Sequence, residues 1–118
     1  MAFSSFEEMP VWQKGMELAQ RVYEITERLP RKEDYGLTSQ IRRSALSVPG
    51  NIAEGFGRKH TKDKLNFYYG SRGSLAETKG HLLYGQRVGY FEQAECGSLL
   101  GLVSEIMERI ECLSKHSA

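Results

Sequence analysis

The stretch PVWQKGMELAQRVYEITERL, residues 10–29, decides the fold of this chain. Its apolar residues recur at gaps of three and four, so a helix would carry them on one broad stripe. The members of that stripe are Val11, Trp12, Leu18, Ala19, Val22, Tyr23, Ile25 and Leu29. Pro10 suits a first helical position, and Pro30 cannot continue a helix. The pattern therefore predicts one amphipathic helix over residues 10–29.

The same spacing recurs in the rest of the chain and predicts three further helices, over about 35–57, 62–88 and 92–115. No stretch alternates apolar and polar residues as a half-buried strand would. Long helices joined by short loops pack beside their sequence neighbours in opposite directions. We therefore predict an all-α fold: one antiparallel, up-down-up-down four-helix bundle that forms a single domain over residues 1–118.

Two features of the middle helices need a structural explanation. Pro49 lies inside the second helix, where it removes a backbone hydrogen bond, and we predict a kink there. The alternative is a true break with Asn51 as a new N-cap residue. In the third helix, Gly73, Ala76 and Gly80 share one face, which predicts close approach by a neighbouring helix.

Composition narrows the function without identifying it. The chain has 40% hydrophobic and 26% charged residues and a formal net charge of +1, so no global field draws it to nucleic acid or membrane. The start MAFSSFEEMP lacks the basic and apolar regions of a secretory signal, and no apolar run could span a membrane. We expect a cytoplasmic protein in which Cys96 and Cys112 stay reduced.

No catalytic, metal or cofactor site is indicated by the sequence. Di-iron centres of four-helix bundles use Glu-x-x-His pairs, and none of His60, His81 and His116 follows a glutamate at that spacing. Neither cysteine has a basic neighbour in sequence, and no phosphate-binding loop or nucleophile elbow occurs. We therefore expect no enzymatic activity, no cofactor and no small-molecule substrate.

The second helix also carries a line of polar side chains at gaps of four and three. They are Gln40, Ser44, Ser47, Asn51 and Glu54. Most are short hydroxyls and amides rather than the lysines and glutamates typical of a solvated face. One interpretation is an ordinary exposed face, and the other is a hydrogen-bonded network, buried between helices or between subunits, that fixes their register.

Charge is spread unevenly along the chain. Residues 31–72 contain nine basic and four acidic residues, whereas residues 92–112 contain five glutamates and one arginine. The candidate phosphate-binding residues of the basic part are Arg42, Arg43, Arg58, Lys59, Lys62, Lys64 and Arg72. Tyr68 and Tyr69 lie close by and could stack on bases. The basic part is either a nucleic-acid-binding surface or a solvated face that pairs with the acidic fourth helix.

Four motifs give the chain a family resemblance. They are Val-Trp-Gln at 11–13, Tyr-Gly-Leu at 35–37, the run QIRRSALSVPGNIAEG at 40–55, and Gly-Ser-Leu at 73–75 followed by Glu77. In order and spacing they resemble the 23S rRNA-intervening-sequence proteins, bacterial four-helix bundles. A related branch is the accessory variability determinant of diversity-generating retroelements. The central run is the most specific of the four motifs.

The resemblance implies an antiparallel four-helix bundle, a ring-like homopentamer and no enzymatic activity. For the related branch it implies binding to nucleic acid through a basic surface. Our first hypothesis is therefore a homo-oligomer that binds RNA or DNA, because several weak patches on one ring bind a long strand by avidity. The alternative is a protein-interaction scaffold without a nucleic-acid ligand.

Overall fold

The computed structural model describes residues 3–117, which form four α-helices. These are α1 (Pro10–Thr26), α2 (Leu37–Phe56), α3 (Thr61–Arg87) and α4 (Gln93–Ser117). Single turns of 3-10 helix precede α1 (Phe6–Glu8) and α2 (Arg31–Glu33). No strand occurs among the residues that the structure describes, which confirms the prediction of an all-α fold. The molecule measures 43 × 25 × 20 Å, the proportions of a bundle of helices lying side by side.

Each helix packs on its neighbours in sequence, and α4 returns to pack on α1. Residues of rising number on α1 contact residues of falling number on α4: Lys14 pairs with Glu105, and Arg21 donates to the Ser98 hydroxyl at 2.7 Å. These two helices therefore run in opposite directions. The α2–α3 interface is the most extensive of the four and the α1–α4 interface the least. The two sides of the bundle thus differ in how closely their helices approach.

The first helix is shorter than predicted, because it ends at Thr26 rather than at Leu29. The Thr26 hydroxyl donates to helix carbonyl oxygens, 2.8 Å from that of Val22 and 3.0 Å from that of Tyr23. After Thr26 the chain tightens into a turn in which the Leu29 N–H bonds to the Thr26 carbonyl at 3.1 Å. The apolar pattern could not show this, since Leu29 still packs against the core from the turn.

Helix α2 is continuous through Pro49, so the alternative of a break with an N-cap at Asn51 is wrong. Pro49 is buried against α1, where a Cβ at Gly15 would lie 3.3 Å from the Pro49 Cβ. The proline ring therefore occupies a space that α1 leaves by having no side chain at that position. The kink stays a prediction.

The core lies along the axis shared by the four helices. Side chains with no exposed surface come from every helix, and among the largest are Leu18, Ile41, Ile52, Leu75, Leu82, Leu99, Ile106 and Ile110. Most occupy positions of the three-and-four pattern seen in the sequence. Burying a side chain of this size stabilises the fold by roughly 1.5–3 kcal/mol relative to leaving it exposed.

The predicted close approach at Gly73, Ala76 and Gly80 is wrong within the chain. All three residues are exposed, and a Cβ at Gly73 or Gly80 would meet no atom within 4 Å. Close approach occurs instead between α2 and α3, where a Cβ at Gly55 would lie 2.7 Å from the Tyr68 ring. The spacing correctly showed that the glycines share a face of α3, but that face points away from the bundle.

Helix α3 ends at Arg87 and is followed by a left-handed glycine, Gly89, with a φ of +89°. The Tyr90 N–H bonds to the Gly85 carbonyl at 2.8 Å and the Gly89 N–H to the Gln86 carbonyl at 3.1 Å, the two bonds of a Schellman motif. This turn reverses the chain into α4. None of the helices between residues 3 and 117 is long and apolar enough to cross a lipid bilayer.

Candidate nucleic-acid interface

The turn between α2 and α3 gathers basic residues at one end of the bundle. Gly57 closes α2, with its N–H bonded to the Ala53 and Glu54 carbonyls at 3.2 Å each. Because α3 begins only four residues later, at Thr61, the turn holds the residues on both sides of it close together. Four of the seven basic residues proposed from the sequence lie there: Arg58, Lys59, Lys62 and Lys64.

The four residues do different things. The Lys64 ammonium donates to the Phe56 carbonyl at 2.9 Å and the Gly55 carbonyl at 3.3 Å, so it caps the negative end of α2. The Arg58 guanidinium lies 4.6 Å from the centre of the Phe67 ring and 3.1 Å from the Glu54 carboxylate.

Lys59 and Lys62 are exposed and make no ion pair among the described residues. We call Arg58, Lys59 and Lys62 the basic cluster. Phe67 and Glu54 hold the Arg58 guanidinium in place, and the Arg58 side chain is still 44% exposed. The basic cluster therefore offers two lysines to an anionic partner, beside a guanidinium that is already positioned.

The other three candidates lie elsewhere and are paired. The Arg42 guanidinium reaches α1, where it donates to the Thr26 hydroxyl at 2.8 Å and lies 4.2 Å from the centre of the Tyr23 ring. Arg43 pairs with Glu77 of α3 at 2.7 Å. Each of these three candidates pairs with a carboxylate: Arg42 with Glu27, Arg43 with Glu77 and Arg72 with Glu111. The seven residues are therefore not one surface, because the three paired side chains point to different faces.

The two tyrosines proposed to stack on bases also differ. Tyr68 is buried between α2 and α3, and this burial raises the pKa of its phenol. A side chain in that position cannot reach a base, so the stacking role proposed for Tyr68 is wrong. Tyr69 is 52% exposed, on the outer side of α3.

The middle three members of the polar line, Ser44, Ser47 and Asn51, lie where α2 meets α3. Ser44 is fully buried, and its hydroxyl lies 2.8 Å from the Thr78 hydroxyl. The Ser47 hydroxyl donates to that of Ser74, and the Asn51 amide donates to the Ser47 carbonyl at 2.9 Å. Hydroxyls pair directly across the interface, which ties the register of α2 to that of α3.

The two ends of the line are exposed. The Gln40 side-chain oxygen accepts a hydrogen bond from Arg43 at 3.0 Å, and the Glu54 carboxylate pairs with Arg58. Neither contact reaches another helix, since Arg43 lies on α2 and Arg58 in the turn after it, so these residues do not join the helices. The hydrogen-bonded interpretation thus describes the centre of the line, and the exposed interpretation describes its ends.

Sequence reasoning missed the α3 half of this interface. Ser71 is fully buried and its hydroxyl donates to the Val48 carbonyl at 2.8 Å, while Thr78 donates to the Ser74 carbonyl at 2.8 Å. The signal was present, because residues 71, 74 and 78 are hydroxyl residues at gaps of three and four. Together with Ser44 and Ser47 they form two facing rows.

The two cysteines lie in different environments, and Cys112 has a basic neighbour, His116, that the sequence analysis overlooked. Cys96 is buried with its Sγ 3.4 Å from the Leu82 carbonyl, and burial, together with nearby Glu95, raises the pKa of its thiol. Cys112 is exposed, with its Sγ 3.6 Å from His116 Nδ1, which itself lies 2.8 Å from the Cys112 carbonyl. Over residues 3–117, no group of three or more His, Cys, Asp or Glu side chains is placed to hold a metal ion.

The geometry defines an all-α helical bundle with a polar α2–α3 interface and a basic turn. Residues 7–112 match the family model described as 23S rRNA-intervening sequence protein. The chain therefore belongs to the 23S rRNA-intervening sequence protein family, as its motifs suggested.

Solved structures support the fold. Among them is a protein of unknown function from the S23 ribosomal protein family of Bacteroides thetaiotaomicron, which superposes with a TM-score of 0.80 at 23% sequence identity. The match covers 89% of this chain and 98% of that one. At this identity the likeness concerns the fold alone. No functionally curated protein matches the chain.

Proposed function

We propose that this protein is a non-catalytic homo-oligomer that binds single-stranded nucleic acid through the basic cluster at the α2–α3 turn. The observation that carries the proposal is the position of Lys59 and Lys62, two exposed lysines that pair with no acid within residues 3–117, beside a guanidinium held on Phe67. Phosphate contacts by such side chains supply most of the sequence-independent affinity for nucleic acid.

Oligomerisation matters because one basic cluster is weak. Three cations release few counterions, and the net charge of +1 gives little long-range attraction. A ring that repeats the cluster on one side presents several sites to one long strand. The second and later contacts are then intramolecular, which raises the overall affinity without any new type of contact.

The test is a binding titration with a fluorescently labelled single-stranded RNA of about 40 nucleotides, at ~50–200 mM salt. The variant Lys59→Glu/Lys62→Glu replaces the two lysines of the basic cluster by acids. We expect at least a tenfold weaker Kd than for the unchanged protein and a shallower dependence of log K on log salt. A DNA strand of the same length shows which nucleic acid is preferred.

The matched control is Arg31→Glu/Lys32→Glu, at the opposite end of the bundle. Both double variants change the net charge from +1 to −3, two changes of −2 each, so they differ only in where the charge lies. Equal losses in the two variants would show a general charge effect and contradict the proposed site. A Kd that does not change with salt concentration, or no binding at ~50 mM salt, would favour the protein-interaction scaffold instead.

A further inference from the structure

The arginine of the basic cluster is held in one position, unlike the two lysines beside it. The Arg58 N–H bonds to the Gly55 carbonyl at 3.1 Å, which fixes the backbone just after α2. The Arg58 guanidinium lies 4.6 Å from the centre of the Phe67 ring and donates to the Glu54 carboxylate at 3.1 Å. Because the ring and the carboxylate already restrict this side chain, a ligand that binds to it loses little further conformational entropy.

The contacts of Arg58 leave its flat face rather than its edge for a ligand. A guanidinium binds phosphate through the N–H groups at its edge, and the Glu54 carboxylate occupies part of that edge and offsets the charge. The flat face of a guanidinium stacks on aromatic rings. Phe67 lies against the group, and the Arg58 side chain is still 44% exposed, so a second ring can approach from the side away from Phe67.

The two lysines supply the contacts that Arg58 does not. Lys59 follows Arg58 in the turn, and Lys62 lies in the first turn of α3. Both side chains are exposed, and a lysine ammonium binds phosphate as a point charge. The basic cluster thus combines two features of proteins that bind single strands: cations for the backbone and a flat group on which a base can stack.

We infer that the flat face of Arg58, supported by Phe67, stacks on an unpaired base while the two lysines contact neighbouring phosphates. The inference rests on the proposed function and specifies its ligand as a strand with unpaired bases rather than a duplex. In a duplex the faces of each base are covered by its neighbours, so Arg58 finds no base to stack on. Phosphate contacts alone would favour the duplex, because it carries one charge per ~1.7 Å of its axis.

A strand without bases separates stacking from phosphate binding. An oligothymidylate of about 40 nucleotides and a DNA strand of the same length with abasic sites throughout carry the same phosphates, but only the first has bases. Arg58→Lys keeps the positive charge and removes the planar group. We expect this variant to bind the oligothymidylate at least ~5-fold more weakly than the unchanged protein does, and to bind the abasic strand equally well.

The matched control is Arg109→Lys on α4. Arg109 pairs at 3.3 Å with Glu105, four residues before it, and its side chain is 42% exposed, so the pair resembles that of Arg58 with Glu54. The substitution is the same and leaves the net charge unchanged, but Arg109 lies outside the basic cluster. We expect Arg109→Lys to bind both strands as the unchanged protein does. Light scattering and circular dichroism check that both variants keep the oligomeric state and the fold.

Phe67→Leu tests the ring as a positioning residue. The Phe67 Cβ lies beside Gly55, and leucine keeps this atom and an apolar side chain while removing the ring that supports the guanidinium. We expect Phe67→Leu to weaken binding of the oligothymidylate and to leave binding of the abasic strand unchanged. Equal weakening on both strands would show that the ring acts only through the fold.

The other outcomes overturn the inference in distinct ways. Equal losses of Arg58→Lys on both strands would mean that Arg58 contacts phosphate. Tighter binding to a duplex of about 20 base pairs, which has as many nucleotides, than to the oligothymidylate would mean that phosphates alone decide the affinity. Salt-dependent binding that Arg58→Lys leaves unchanged would contradict the stacking alone, whereas no binding of either strand at ~50 mM salt would contradict the proposed function as well.

Discussion

The α2–α3 and α1–α4 interfaces join helices of the same bundle with opposite chemistry. Helix α3 buries two hydroxyl residues, Ser71 and Thr78, and a glycine, Gly85, among its apolar side chains. Every buried side chain of α4 in the described residues is apolar or a thiol. Between α2 and α3 the hydroxyls bond across the interface, whereas the polar contacts between α1 and α4 lie at the surface.

The two interfaces contribute to the fold in different ways. The Ser44–Thr78, Ser47–Ser74 and Ser71–Val48 hydrogen bonds form in only one alignment of α2 and α3, since a shift by one turn would break all three. Apolar side chains can pack in more than one alignment of two helices. By filling the volume of the core they supply most of the stability. We therefore expect α4 to contribute mainly stability and the α2–α3 interface to contribute mainly register.

The largest loss of stability should come from a substitution among the buried apolar side chains of α4. Ile106 of α4 is fully buried, so Ile106→Ala leaves a cavity and should lower the free energy of unfolding by about 2–5 kcal/mol. Urea unfolding measures the loss. The control is Ser104→Ala, an exposed position on the same helix, which should change stability by less than ~0.5 kcal/mol. Similar losses in both variants would mean that α4 does not anchor the core.

Removing one buried hydroxyl should lower the free energy of unfolding by a smaller amount. Thr78→Val keeps the shape of the side chain but leaves the Ser44 hydroxyl with only its 3.2 Å bond to the Ile41 carbonyl. We expect a loss of about 1–3 kcal/mol in urea unfolding. The double variant Ser44→Ala/Thr78→Val should lose less than the sum of the single variants, since neither then leaves a partner behind. Strictly additive losses would show that the two hydroxyls are not coupled.

The polar interface also shows how far the sequence alone can predict the molecule. Four helices, the buried stripe and the special character of Ser44 and Ser47 could be predicted from spacing within single helices. The partners of these serines could not be assigned, because pairing Ser44 with Thr78 requires the register of two helices. Register depends on loop geometry and on the whole core, which no single-helix pattern contains.

The basic residues were predicted less well for a related reason. A count of charges along the chain treats Arg43 and Lys59 alike. The guanidinium of an arginine lies at the end of a long side chain, and it reaches any acid that the fold places beside it. Arg43 meets Glu77 in this way, thirty-four residues later in sequence. Only the packed structure separates paired cations from available ones.

A smaller effect is expected at the surface, where the turn that follows α1 meets α4. Arg28 of this turn pairs with Glu95, but the Arg28 side chain is 58% exposed. Exposed pairs contribute roughly 0.2–1 kcal/mol, so Arg28→Ala should cost less than ~1 kcal/mol at low salt and less still at ~1 M salt. Arg42→Ala is the comparison, because Arg42 also donates to the buried Thr26 hydroxyl and should cost more. Equal costs would mean that this additional bond adds nothing.

The smallest effect, and one that depends on pH, is expected at the end of the bundle where the α1–α2 and α3–α4 loops meet. The Glu33 carboxylate accepts hydrogen bonds from the Leu37 N–H at 3.1 Å and from the Tyr90 hydroxyl at 2.9 Å. The backbone bond first, and then the tyrosine, lower the pKa of Glu33 below its usual 4.5. A lowered pKa in the folded state stabilises the protein above pH 4.5, and this contribution is lost as the pH falls through the folded value.

Glu33→Gln should therefore lower Tm at pH 7 by more than it does at pH 3, because the contribution of the lowered pKa shrinks as the pH falls below 4.5. Tyr90→Phe should lower Tm by less, because the bond to the Leu37 N–H remains. The Tyr90 phenol contributes to stability over a different pH range. Its hydrogen bond to Glu33 raises its pKa, so its contribution to stability is present below pH 10 and is lost as the pH rises through the higher folded value. Thermal melts from pH 3 to 7 measure the difference. A gap between Glu33→Gln and the unchanged protein that stayed constant over that range would show that the carboxylate acts by its shape and not by its charge.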